Sequence, residues 1–362
     1  MMPVKALTTA VAALWLTGAV APAASAGDLI VTAAKPDRLY VIDAASRSVR
    51  SQFKVADAGN GLSTILVAPN GRIAYALVNK MERIVGIDLH SGKMVFRAEL
   101  SQSGERVKDF FGFTLTPDGR ELIAYEIPVL LKPSEYVVEE PRFAVFRTNA
   151  GLNARPVRSF PAPRRLHVLL MRPSGKSFYA IGFDVYEYDV KTGALLGTRG
   201  ILHWELPGHS QPDLLAFWPV TEPTGVFTSP ISSEVKSGSS AEPRTGLMSL
   251  DLASGALKFQ DFESAATVIF SSVLAPDRKT AFGAYTTLSR IDLERGTLAQ
   301  RVDLDHTFYS INIATDGKEL YLGGAMCDVA FYDPATLAKR TVLKLPGCAD
   351  QALASLRVVH EH

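Results

Sequence analysis

A repeated unit of apolar strands and two tight turns restricts the fold of this chain more than any other feature. Its clearest copy spans residues 64–100 and holds four strands, with a Pro-Asn-Gly turn after the first and an Asp at the end of the third. The first turn, APNG, returns as TPDG, RPSG, APDR and ATDG, and the second, DLHSG, returns as DVKTG, DLASG and DLERG. Self-similarity of this kind indicates a repeat architecture.

The segments between the turns alternate in polarity and are rich in β-branched and aromatic residues, as in IAYALV at 73–78 and ELYLGG at 319–324. Asn-Gly or Asp-Gly between two such segments predicts a β-hairpin. Four strands in a unit of 40 residues or more are typical of a propeller blade. The unit at 112–160 departs from the pattern, since it has Arg147 at the position of the Asp.

The two ends of the chain predict how a ring of such blades closes. The first unit has only three strands, at 28–33, 38–43 and 49–55, and one strand without a unit, 354–359, follows the last full copy. If that strand becomes the innermost strand of the first blade, the ring closes and no sheet edge stays exposed. We therefore predict an all-β, seven-bladed β-propeller of four-stranded antiparallel blades, formed as one domain by residues 27–362.

The first 26 residues are typical of a cleaved secretory signal. Lys5 is the single charge, an apolar run covers 6–20, and small residues at 24–26 form the cleavage site. The apolar run of about 15 residues is shorter than the ~20 that a spanning helix needs. We expect a cleaved signal, an exported chain and no membrane span. The balance of 38 basic and 37 acidic residues argues against a nucleic-acid partner.

The two faces of the predicted ring differ in their connections. We name the strands of a blade A to D from the channel outward. The short A–B and C–D turns form one face, the turn face, where Pro, Asp and Gly are explained by their preference for tight turns. The B–C and D–A connections form the opposite, loop-rich face. Its longest segments are the insertions 127–141 and 229–245 and the connections 56–63, 101–111, 200–213 and 303–308. We expect partners to bind there, because binding residues concentrate in long loops on a rigid scaffold.

The candidate contact residues lie in or beside these connections. They are Asp57, Asn60, Lys108, Asp109, Phe110, His203, Trp204, His209, Asp213, His306 and Tyr309. The segment 200–213 suits an interface anchor because it combines an aromatic with polar groups; alternatively, Trp204 covers the seam between blades four and five. For Phe110 and Phe111, packing at the start of the blade is the favoured interpretation.

No catalytic motif is visible in the sequence, which lacks G-x-S-x-G, P-loop, H-E-x-x-H and C-x-x-C-H patterns. We therefore expect a scaffold with no catalytic centre, metal or cofactor of its own. Cys327 lies in the B–C turn of blade seven and Cys348 in the connection that leaves it. A disulfide is the favoured interpretation for an exported chain, with two free thiols as the alternative.

Over nearly its whole length the chain resembles the β subunit of quinohemoprotein amine dehydrogenase. The segments that carry the resemblance are ADAGN (56–60), VAPNGRIAYALVNK (67–80), ERVKDFFG (105–112), QPDLLAFW (211–218), RTGLMSLDL (244–252), AFGAYTTL (281–288) and TDGKELYLGGA (315–325). The more distant heavy subunit of methylamine dehydrogenase is also a seven-bladed propeller.

This resemblance implies a periplasmic heterotrimer that oxidatively deaminates primary amines to aldehyde and ammonia. A γ subunit would carry cysteine tryptophylquinone, and an α subunit would carry two c-type haems and pass electrons to an external carrier. The β propeller would dock both partners, help to wall the quinone cavity and bind no cofactor itself. Alternatives are a stand-alone exported binding protein of the beta-propeller repeat type, a methylamine-dehydrogenase-type heavy subunit, and a self-sufficient propeller enzyme such as a lactonase.

Overall fold

A computed structural model describes residues 27–353 and 355–361, so the predicted signal segment 1–26 lies outside the described residues. Strands are numbered in chain order. The first three blades contain β1 (Asp28–Lys35), β2 (Arg38–Asp43) and β3 (Ser48–Lys54); β4 (Thr64–Val67), β5 (Ile73–Val78), β6 (Arg83–Asp88) and β7 (Met94–Glu99); and β8 (Glu105–Lys108), β9 (Phe113–Leu115), β10 (Glu121–Leu131), β11 (Tyr136–Val138), β12 (Arg142–Arg147) and β13 (Pro156–Pro161).

Blades four to seven follow the same order. Their strands are β14 (Val168–Met171), β15 (Ser177–Ile181), β16 (Asp184–Asp189) and β17 (Leu195–Gly200); β18 (Asp213–Leu214), β19 (Val226–Ser237), β20 (Ser240–Asp251) and β21 (Leu257–Glu263); β22 (Ser271–Leu274), β23 (Thr280–Ala284), β24 (Thr287–Asp292) and β25 (Thr297–Asp303); and β26 (Phe308–Ile313), β27 (Leu320–Gly324), β28 (Asp328–Tyr332) and β29 (Lys339–Lys344). The helical content of the described chain is one 3-10 turn, Gly151–Asn153.

The C-terminal residues close the ring on blade one. β31 (Arg357–His360) pairs antiparallel with β1, and β30 (Asp350–Gln351) pairs with the other end of β1. The prediction of seven four-stranded blades closed by the last strand is therefore confirmed. The closing strand covers Arg357–His360. Before it, the Leu353 carbonyl accepts hydrogen bonds from Trp218 and Ser310 of other blades.

The two B–C insertions are extended β-hairpins rather than the long loops that the sequence analysis expects. In blade three, the second half of β10 pairs with β11 on one side and with β8 on the other. In blade five, β19 and β20 stay paired from Val226↔Asp251 out to Ser237↔Ser240. The backbone groups of these protruding segments are satisfied by strand pairing, which makes them firm projections of the loop-rich face.

The repeated Asp residues explain the regularity of the turn face. Asp88 Oδ1 accepts hydrogen bonds from the N–H groups of His90 and Ser91, at 3.1 and 2.8 Å. These bonds, led by the one from Ser91, and the Arg72 side chain lower the pKa of Asp88. Gly92 then takes the left-handed backbone conformation, φ +70°, that ends the turn. These hydrogen bonds give the turn residues a structural role, as the sequence indicated.

One buried cation crosses the central channel. Arg357, 2% exposed, donates through Nε to the Ile65 carbonyl of blade two at 2.9 Å and through Nη1 to the Pro219 carbonyl of blade five at 2.6 Å. Glu222 lies 3.2 Å from Nη1 and balances the charge. The closing strand is thereby held to two other blades by charge-assisted hydrogen bonds.

Replacing Arg357 with Met is expected to lower the free energy of unfolding by about 3 kcal/mol, because two buried carbonyls lose their donor. Urea unfolding of a chain of residues 27–362 measures this loss. Arg295→Met, at an exposed side chain on the turn face, is the control and should change stability by less than about 0.5 kcal/mol. Equal effects of the two variants would contradict the bridging role of Arg357.

Cys327 and Cys348 form a disulfide, with their Cα atoms 5.6 Å apart. The bond ties the B–C turn of blade seven to the segment that leads into the closing strands. The favoured interpretation of the two cysteines is therefore confirmed, and the alternative of two free thiols does not hold in this structure.

The double variant Cys327→Ser/Cys348→Ser is expected to lose about 3 kcal/mol of unfolding free energy, the cost for a closed loop of this length. Urea unfolding under oxidising conditions measures it. Added reductant should weaken the unmodified chain to the level of the variant and leave the variant unchanged. A variant as stable as the oxidised chain would show that the clasp does not stabilise the ring.

Candidate functional site

Aromatic side chains from the connection between blades two and three and from blade five meet at the loop-rich mouth of the channel. The ring centroids of Phe110 and Phe111 are 5.2 Å apart, and they lie 5.8 and 5.7 Å from the ring of Phe217. The His167 ring of blade four is 5.4 Å from Phe217. Burial lowers the pKa of His167 to about 4. The imidazole is therefore uncharged at neutral pH and packs as part of an apolar cluster.

The same contacts continue into blade six. Trp218 lies 6.0 Å from Phe217 and 5.7 Å from Phe270, which stacks on Tyr285 at 3.8 Å. We call Phe110, Phe111, Phe217, Trp218, Phe270 and Tyr285 the aromatic row. It crosses the mouth of the channel from blade three to blade six.

Trp218 anchors the aromatic row in the core. β18 is only two residues long, and Pro219 further along this segment has no N–H for a sheet ladder. The buried Trp218 indole instead donates to the Leu353 carbonyl at 2.7 Å. Phe110 is the exposed end of the row, at 41%. The sequence favoured packing at the start of the blade for both Phe110 and Phe111. Phe111 does pack against the core, whereas Phe110 is open to solvent.

Asp109 is fully buried beside the aromatic row. Its Oδ1 accepts the N–H of Gly112 at 2.6 Å, whereas Oδ2 has no hydrogen-bond partner. Burial raises the pKa of this carboxyl well above its usual range, and the neighbouring Glu126 adds to the rise. A group without surface cannot touch a partner, so Asp109 is wrong as a contact candidate. It holds the turn that presents Phe110 and Phe111.

Replacing Asp109 with Asn is expected to raise the melting temperature at pH 7.5 more than at pH 4. The pKa of Asp109 is higher in the folded than in the unfolded chain, so the folded chain binds more protons. Stability is thus lost as the pH rises above the unfolded pKa of about 3.9. Asn keeps the Oδ1 acceptor and removes that loss. A melting-temperature difference that does not depend on pH would contradict the assignment.

Segment 200–213 is bound to the body of blades four and five rather than free. His203 Nδ1 lies 2.6 Å from Asp184 Oδ2, and His209 Nε2 lies 2.9 Å from Asp261 Oδ2. Although burial alone would raise the pKa of Asp184, the hydrogen bonds from the His203 ring and from backbone N–H groups lower it. The carboxylate is therefore ionised and fixes the orientation of the exposed imidazole.

Trp204 is half-buried at the junction of the same two blades. Its indole donates to the Ser210 carbonyl at 3.0 Å, and its ring lies 5.0 Å from Phe259. It packs against a core cluster that combines side chains of blades four and five. Trp204 thus covers the seam between them, as the alternative interpretation held, and its role as an interface anchor stays a prediction.

The remaining candidates are spread around the ring. His306 Nε2 lies 3.1 Å from Asp328, and Tyr309 is half-buried near the same blade, where burial raises its pKa. The exposed candidates are Asp57, Asn60, Lys108 and Asp213. The structure places one candidate, Phe110, in the aromatic row and does not gather the others into a shared constellation.

Sequence inspection missed the exposed apolar side chains of the loop-rich face. Within the described residues, eight large hydrophobic side chains are exposed there, and we call them the apolar rim: Phe110, Leu131, Tyr136, Val138, Phe183, Leu206, Val268 and Met326. The other six that are exposed lie on outer strands or in the 3-10 turn. The apolar residues of IPVLLKPSEYVVEE at 127–140 could have indicated an exposed apolar surface. Strand pairing was needed to show which of these side chains point outward.

Over residues 27–353 and 355–361, no group of three His, Cys, Asp or Glu side chains is placed to hold a metal ion. No helix in that part of the chain has the length and hydropathy to cross a bilayer.

Comparison with solved structures defines the class of protein as an all-β propeller. The chain is similar to hydrazine synthase from Kuenenia stuttgartiensis, with a TM-score of 0.55, 13% identity and coverage of 86% of this chain and 90% of that one. For the dihydro-haem d1 dehydrogenase NirN the values are 0.53, 13%, 92% and 75%. For apo AztD from Citrobacter koseri they are 0.53, 14%, 93% and 99%.

Identities this low show a common fold alone. The fold is shared with propellers that belong to enzymes, such as hydrazine synthase and NirN. No protein-family model and no curated protein matches the sequence. The resemblance to the β subunit of quinohemoprotein amine dehydrogenase therefore stays a hypothesis.

Proposed function

We propose that this chain is the propeller subunit of a periplasmic amine dehydrogenase and docks redox partners through its loop-rich face. The observation that carries the proposal is the apolar rim, which concentrates eight exposed hydrophobic side chains on one face. Large exposed apolar side chains gathered on one face point to an interaction surface. The aromatic side chain of Phe110, half exposed and backed by rigid packing, suits the centre of such an interface.

In this assembly the catalytic chemistry belongs to the partners. The γ subunit would hold cysteine tryptophylquinone, and the α subunit would hold haem c and reduce an external carrier. The contribution of this chain is apolar and steric: the aromatic row would wall the cavity and exclude water. The full-length resemblance supports the amine as substrate class, and the occurrence of the fold in the dehydrogenase NirN supports a redox setting by analogy.

Val138→Asp is expected to weaken association with the partner subunits at least tenfold, because a charge would be desolvated in an apolar interface at a cost above about 1.4 kcal/mol. Val157→Asp is the matched control. Both valines belong to blade three and are 54% and 53% exposed, but Val157 lies on the outermost strand. Pull-down or sedimentation of tagged chains from periplasm compares the two. Equal association of both variants would remove β11 from the interface.

Co-purification of the tagged chain from periplasm tests the assignment itself. A haem absorbance spectrum and quinone staining of a very small partner are expected in the same fractions. A stable monomer that lacks both signals would instead favour the stand-alone exported binding protein. Amine deamination by the isolated chain would overturn a scaffold role altogether.

A further inference from the structure

Blade three departs from the repeat at Arg147, the last residue of β12. The same position in each of the other blades is Asp, and each Asp Oδ1 accepts the backbone N–H three residues ahead; these residues are Asp43, Asp88, Asp189, Asp251, Asp292 and Asp333. In blade three the turn contains the 3-10 segment Gly151–Asn153. The substitution of Arg for Asp therefore reverses the charge of the turn face at one blade.

The reversal also removes a carboxylate with which a second cation could pair. In blade two, the Nε of Arg72, which follows the turn glycine, lies 2.9 Å from Asp88 Oδ2. The equivalent residue of blade three is Arg120, and the strand-end carboxylate is absent. Among the described residues, Arg120 makes a single ion pair, with Asp118 at 3.8 Å. The Arg120 side chain is 80% exposed.

Arg147 and Arg120 lie in a groove between blades three and four with a cavity of about 830 Å³. Its charged residues are the cations Arg120, Arg147, Arg158, Lys176 and Lys191 and the anions Asp118, Glu121 and Asp189. The cations exceed the anions by two. The groove is therefore positive at neutral pH, on a chain whose total charge is close to zero.

The anions of the groove are already engaged. Glu121 accepts both terminal nitrogens of Arg158, at 2.9 and 2.6 Å, and lies 3.1 Å from Arg147. The bond from Arg158, which outweighs burial, lowers the pKa of Glu121. Asp118 and Asp189 accept hydrogen bonds from N–H groups of their own turns. An incoming anion would thus meet cations rather than free carboxylates.

We propose that this groove binds an acidic segment of a partner protein. Arg120 and Lys176 follow the turn glycines of adjacent blades, so they lie one blade apart and do not converge on one small anion. A polypeptide with several carboxylates can reach both, together with Lys191. Such charge complementarity favours fast and specific association. The groove opens on the turn face, opposite the apolar rim, and the inference does not depend on the proposed function.

A labelled ten-residue peptide rich in Glu, titrated with the mature chain and followed by fluorescence anisotropy, tests the proposal. Saturable binding at low salt that weakens steeply at 200 mM salt is expected. Lys176→Glu should weaken binding at least fivefold. Arg147→Asp, which restores the residue of the other blades, should do the same. Melting temperatures of both variants check that they fold.

Lys318→Glu is the matched control, because Lys318 follows the turn glycine of blade seven and is an exposed lysine like Lys176. Its affinity for the peptide should stay within twofold of the unmodified chain. The proposal would be overturned if the peptide showed no saturable binding or if the Lys318 variant lost as much affinity as the Lys176 variant. It would also be overturned if millimolar phosphate displaced the peptide, or if a single-stranded oligonucleotide bound more tightly and displaced it.

Discussion

The Arg357 guanidinium, buried in the channel, is the interaction on which the ring depends most. It sits on the strand that closes the ring and reaches carbonyls of blade two and blade five. A buried charge is tolerated only when it is paired and hydrogen-bonded, so the closing strand, the segment around Pro219 and Glu222 must be in place together. Closure, channel packing and the position of the mouth are thereby coupled.

The two faces of the coupled ring differ in how far their connections vary from blade to blade. On the turn face, six of the seven blades repeat the same contact from Asp to the backbone, and Arg147 of blade three alters the charge there without altering the ring. On the loop-rich face, hairpins and connections project from strands that the ring holds in position. The aromatic row connects the core to this face: Trp218 is hydrogen-bonded to Leu353 beside the closing strand, and Phe110 is exposed at the surface. The face proposed to bind partners is built outward from the core.

The parts of the fold that could be predicted depend on neighbours in sequence. Asp88, Ser91 and Gly92 form a turn whose hydrogen bonds join residues close in sequence. Such a turn can therefore be recognised from the sequence alone. The count of such turns predicted the blades, and the leftover strand predicted the closure. The candidate site was less accessible. Asp109 was taken as a surface residue because a charged letter in a connection suggests exposure, whereas contacts from blades two and three bury it.

The sequence by itself determined the all-β blades, their number and the closure by the last strand, and it favoured a bond between Cys327 and Cys348. These follow from short-range turn chemistry, from period and from the order of elements around a ring. Only the tertiary structure decided that Arg357 crosses the channel, that Trp218 turns inward and that Val138 faces solvent. The physical reason is that burial and hydrogen-bond partners come from distant blades, and their identity depends on how the ring brings those blades together.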